Sequence, residues 1–118
     1  MRILIVDDSP LMRMIIKDFL KNEGFEVYEA GTFLEAQKLS SSLRPEVIIK
    51  DLFMPDNDAL ESIRYFIKDN HRVKIIICTT ENSQDQIVKA LKIGARDIIL
   101  KPLKKTQVLR VVNRVAFS

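Results

Sequence analysis

Five short apolar runs, each followed by an amphipathic stretch, constrain this chain more than any other feature. The runs are residues 3–6, 27–30, 47–49, 75–78 and 98–100. They are largely β-branched and too short for helices, so they read as strands. The second alternates apolar and polar residues (Val27, Tyr28, Glu29, Ala30). The other four do not, which marks strands covered on both faces, as in a parallel α/β sheet. The stretches between them carry helix boundary signals. Ser9 and Pro10 stand as N-cap and first helical residue ahead of Met12, Ile15, Ile16, Phe19 and Leu20, with Gly24 as the stop. Thr32 and Glu35 form a capping box ahead of Ala36, Leu39 and Leu43. Asp58 and Glu61 form another ahead of Leu60, Ile63, Phe66 and Ile67. "SQDQ", from Ser83, opens a fourth helix with Ile87, Ala90 and Leu91, ended by Gly94. A fifth starts near Thr106 and carries Val108, Leu109, Val112 and Val115. The order βαβαβαβαβα predicts an α/β fold, a doubly wound three-layer sandwich.

With 118 residues the chain makes one domain with a sizeable core. No apolar run approaches the roughly 20 residues that span a bilayer. Residues 2–6 run straight into Asp7-Asp8, which is not the pattern of a signal peptide. A single Cys78 permits no internal disulfide, and a cytoplasmic protein is expected. The net charge of +3 is uneven. Residues 1–60 hold 7 basic against 11 acidic residues, and residues 61–118 hold 12 against 5. This is either the ordinary charge of solvated helix faces or a basic surface for an acidic partner. Zinc-type spacing and basic runs interleaved with aromatics are both absent, which argues against nucleic acid as the direct partner.

Polar residues collect at strand ends. The first strand ends at Asp7-Asp8, the third at Asp51, the fourth at Thr79-Thr80 and the fifth at Lys101-Pro102. In an open parallel sheet these ends share one edge, where ligands bind at the reversal of strand order. In a 2-1-3-4-5 order the first and third strands are neighbours, about 4.8 Å apart. Asp7, Asp8 and Asp51 then form one carboxylate cluster, whose repulsion a cation relieves. An all-oxygen set suits Mg²⁺. Beside it, Lys101 as a point charge and Thr79 as a hydroxyl donor make a phosphoryl site. A carboxylate can itself accept the phosphoryl group as an acyl phosphate.

The motifs "ILIVDDSPLMR", "VIIKDLFMPDNDALE", "IIICTTE" and "GARDIILKPL", in this order, resemble the receiver domain of two-component response regulators, the CheY-like family. The resemblance covers the whole chain. It implies a five-stranded parallel sheet in the flavodoxin-like 2-1-3-4-5 order and a single receiver domain over residues 1–118 with no output domain. It implies that Asp51 accepts a phosphoryl group from a histidine kinase or a histidine phosphotransfer protein. Asp8, Asp51 and the backbone carbonyl of Phe53 would hold Mg²⁺, with Asp7 acting through water. Lys101 would pair with the phosphoryl oxygens, and Thr79 would swing toward them. Self-phosphorylation from small phosphodonors and slow autodephosphorylation would follow. A downstream protein would bind the surface of the fourth helix, fifth strand and fifth helix, with the chain a monomer or a phosphorylation-dependent dimer. Four positions depart from the family pattern. Ala59 replaces a Gly, Thr80 an Ala, Ile98 an aromatic that usually moves with the Thr, and Leu103 a Phe. Phe53 and Glu81 flank the path of hydrolytic water, and the bulk of Phe53 predicts that it hinders that water.

Three alternatives stay open at this point: a phosphorylation-independent pseudo-receiver, a Mg²⁺-dependent phosphatase and a flavodoxin. Aspartyl phosphatases want "DxD" after the first strand, where this chain has "DDS". A flavodoxin wants a phosphate loop free of acidic residues there. Among the remaining residues, His71 reads as surface, Cys78 and Met12 as core and Met14 as outward. Lys50 reads as a snorkelling side chain on the strand face opposite Asp51.

Overall fold

Each apolar run forms a strand and each amphipathic stretch a helix in the computed structural model, which describes residues Met1–Ser118. The elements are β1 (Arg2–Val6), α1 (Pro10–Leu20), β2 (Glu26–Ala30), α2 (Phe33–Leu43), β3 (Val47–Asp51), α3 (Ala59–Asp69), β4 (Lys74–Thr79), α4 (Gln84–Ile93), β5 (Asp97–Leu100) and α5 (Lys105–Ala116). A short 3₁₀ turn, Glu81–Ser83, precedes α4. The five strands are parallel in the order β2-β1-β3-β4-β5, as expected for a flavodoxin-like sheet. No helix is long and apolar enough to cross a membrane.

Strand alternation divides the core in two. Leu4, Val6, Ile48, Ile75 and Ile77 pack with Ala36 of α2, Ile63 and Phe66 of α3, and Ala90 of α4. Ile3, Ile5, Val47, Ile49, Ile76 and Cys78 pack with Ile16 of α1 and Val108, Val112 and Val115 of α5. Both faces of β1, β3 and β4 are therefore dry, which is why those runs carry no polar alternation. β2 lies at an outer edge and alternates. Glu26 pairs with Arg2 at 3.1 Å, and Glu29 with Arg13 at 2.8 Å and Lys17 at 3.4 Å.

Three of the five helix starts carry a side-chain cap, and α5, which begins after Lys104, has none. Ser9 Oγ accepts from the Met12 amide, Thr32 Oγ1 from the Glu35 amide, and Asp58 Oδ1 from the Leu60 and Glu61 amides. Glu35 completes its box one residue early, accepting from the Gly31 amide at 3.2 Å. The expected return bond from Glu61 is absent, and that residue is exposed. Ser83 holds the N-cap position of α4 but makes no capping bond. Leu91, expected in the core, is exposed; the stripe of α4 is instead Ile87 and Ala90, with Ile93 at its flank. α1 stops at Leu20, four residues before Gly24, and the turn that follows places Asn22 (φ 66°) and Gly24 (φ 85°) in left-handed conformations. Gly94 closes α4 at φ 136°, where a Cβ would stand 2.9 Å from Ile67 Cδ1.

Candidate functional site

The register puts the ends of β1 and β3 side by side: Val6 pairs with Lys50, one residue before Asp7 and Asp51 respectively. Carboxylate oxygens of Asp7, Asp8 and Asp51 consequently all lie within 4.8 Å of one another. Asp7 is 2% exposed, Asp51 half-buried and Asp8 open to solvent. The Ser9 amide donates to Asp7 Oδ1 at 2.8 Å, and buried Oδ2 has no hydrogen-bond partner. Lys101, reaching in from the end of β5, places Nζ 3.5 Å from Asp51 Oδ1 and 3.9 Å from Asp7 Oδ2. Three carboxylates thus face one ammonium. Burial, then the charge of Asp7, raises the Asp51 pKa, against the opposing pull of Lys101 and the Phe53 amide. An all-oxygen cluster short of positive charge, with one buried oxygen unpartnered, fits a hard divalent cation.

Two cations behind this cluster were not legible in the sequence. Arg13 of α1 donates from Nη1 to the Asp7 carbonyl at 2.6 Å and from Nε to Glu29 at 2.8 Å. It passes so close to Gly31 that a Cβ there would stand 2.9 Å from Nη1. Lys50 does not snorkel; it is 0% exposed. It lies on the inner strand of the sheet, on the face covered by α2 and α3, with Val6 and Ile77 on either side. Its Nζ makes one hydrogen bond, donated to the Asp51 carbonyl at 2.9 Å. Burial pulls its pKa from 10.5 down to about 8, although Asp51, Asp56 and Asp7 oppose this. Asp56 in turn ties the loop after β3 to α2, accepting from the Phe33 amide at 2.7 Å.

Residues 3–113 match the family model of the response regulator receiver domain. The chain belongs to that family. The chemotaxis protein CheY of Thermotoga maritima is 35% identical over 116 residues, covering 98% of this chain and 97% of that protein. CheY of Bacillus subtilis is 35% identical over 114 residues, covering 96% and 95%. Among solved structures, the chemotaxis protein CheY4 of Vibrio cholerae is similar with a TM-score of 0.88 at 28% identity, over 97% of each chain.

Within this receiver domain the remaining expected residues are dispersed around the cluster. Thr79 is buried at the end of β4, on the sheet face of Ile77, while Asp51 shares the face of its pairing partner Cys78. The Thr79 hydroxyl donates to Ser83 Oγ at 3.4 Å and makes no bond to Asp51 or Lys101. Ile98 is half-buried on that same face, paired with Ile77. Thr80 and Glu81 are exposed. Phe53, 50% exposed, lines an open depression of about 620 Å³ with Glu81, Asn82, Ser83, Gln84, Asp85 and Gln86. Cys78 is buried and inert, its thiol pushed up to about 12 chiefly by burial. His71 and Met14 are exposed, away from the cluster, as expected.

Proposed function

We propose that this receiver acts as a single-domain response regulator whose Asp51 accepts a phosphoryl group from the phosphohistidine of a histidine kinase or histidine phosphotransfer protein. The observation that carries this reading is the convergence of Asp7, Asp8 and Asp51 within 4.8 Å, with Lys101 in reach of two of them. Asp8, Asp51 and the Phe53 carbonyl would hold Mg²⁺, with Asp7 bound through water. Bound there, Mg²⁺ supplies positive charge to the phosphoryl oxygens. An Asp51 oxygen forms the bond to phosphorus as the phosphorus–nitrogen bond of the donor breaks, and the electron pair returns to the imidazole nitrogen. Lys101 takes the phosphoryl charge that the carboxylate alone cannot stabilise. Water later cleaves the acyl phosphate to restore the carboxylate and release inorganic phosphate, and Phe53 obstructs its approach.

The new charge at Asp51 biases the surface of α4, β5 and α5, where a downstream protein binds. Lys89, Lys92, Arg96, Lys104 and Arg110 are exposed there, beside exposed Val88 and Leu91, and they suit an acidic partner with an apolar anchor. The reading places the protein in the cytoplasm, with its kinase.

Incubation with acetyl phosphate and Mg²⁺, followed by intact-mass measurement, tests the acceptor. A phosphoryl adduct is expected on the wild type and none on Asp51→Asn. An adduct that survives this substitution sinks the assignment. Absence of any adduct favours a phosphorylation-independent interaction module.

A further inference from the structure

We propose that Ser83 is the resting partner of Thr79 and carries the state of the acceptor site into α4. This inference rests on the reading of Asp51 as phosphoryl acceptor. The Thr79 hydroxyl has one proton to donate. At rest it goes to Ser83 Oγ, on the sheet face away from Asp51. A phosphoryl oxygen on Asp51 competes for the same proton, so the two bonds exclude one another. At 3.4 Å the bond to Ser83 is long for a pair of hydroxyls, which makes it easily surrendered.

Ser83 also stands where a capping residue belongs. Ser9, Thr32 and Asp58 each have extended backbone and accept from amides of their helices. Ser83 has φ −105° and ψ 31° and accepts from none. Its oxygen is turned to Thr79 instead. Release of Thr79 lets Ser83 rotate that oxygen toward the amides of the first turn of α4, which otherwise lack a side-chain acceptor. Exchanging one bond for the other couples site occupancy to the start of the helix that displays Val88 and Leu91. Ile98 offers no polar group to this relay, and Ser83 is the one hydrogen-bond partner of the Thr79 side chain. Ser83 touches neither the acceptor nor its ligands; it is a positioning residue that acts through Thr79.

The test is a double-mutant cycle in the affinity for beryllofluoride with Mg²⁺, a phosphoryl mimic, measured by calorimetry. Ser83→Ala should weaken binding about 2- to 5-fold, because the cap gained on binding outweighs the long bond given up for it. In the Thr79→Val background the same change should have no effect. Ser83→Thr, which keeps a hydroxyl, should restore wild-type affinity. Amide exchange at Asp85 and Gln86 should slow on beryllofluoride binding in the wild type and not in Ser83→Ala. Unchanged affinity in Ser83→Ala, or an equal change in both Thr79 backgrounds, overturns the relay while leaving the acceptor reading intact. A wild type that binds no beryllofluoride removes both.

Discussion

Lys50 is the residue most at odds with its surroundings. An ammonium in a dry sheet face loses its hydration and recovers one hydrogen bond, to the Asp51 carbonyl. The depressed pKa carries a sign. The folded state releases the proton near pH 8, and the unfolded chain keeps it to about 10.5. Between these values the unfolded state binds more protons, so stability rises with pH. Below pH 8 the full penalty, about 3 kcal/mol for this displacement, is present. Relative to Lys50→Met, the wild type should therefore gain about that amount in urea unfolding between pH 8 and 10.5, measured in chelator. A constant difference across that range would show that the ammonium is hydrated after all. The sequence conceals this residue for a physical reason. Apolar periodicity reports which positions face inward, and a lysine there is expected to reach water along its own stem. Whether it can depends on what covers the strand end, here α2, α3 and the loop tied down by Asp56. The three carboxylates pose no such difficulty, because strand order alone brings Asp7 and Asp51 together.

At the scale of elements, the strands and four of the five helix starts were legible because local signals and burial agree there. The start of α4 was not. "SQDQ" has the composition of a cap, yet Ser83 bonds back to Thr79, four residues earlier at the end of β4, and a capping pattern counts only the residues that follow it. The end of α4 is more constrained. Gly94 combines a left-handed backbone with close contact to α3 through Ile67. Gly94→Ala meets both penalties, backbone strain and overpacking. It should lower unfolding free energy by about 1–3 kcal/mol in urea titration without changing the adduct mass obtained from acetyl phosphate. A neutral result would mean that the junction of α4 and β5 adjusts freely.

For the whole molecule, the edge of the sheet that carries the carboxylates is held together against its own charge. A cation binding only the folded form stabilises it by mass action, about 1.4–2.7 kcal/mol between 10 and 100 times its dissociation constant. In a domain of this size that corresponds to a rise of roughly 3–10 °C in unfolding midpoint. Mg²⁺ should produce such a rise in the wild type and lose most of it in Asp8→Asn. An equal rise in both would place the ion elsewhere. The outer margin of the sheet beside β1 bears on a different matter, how copies of the chain behave when crowded. β2 leaves a row of backbone groups along one margin, the kind of surface on which another polypeptide can be templated. Glu26 and Glu29 stand along that margin, held in place by cations of their own chain. A second copy that docked there edge to edge would have to bury these ion pairs, whose charged groups are hydrated while the margin stays open. Five residues of outer strand thereby act as a guard against runaway self-association.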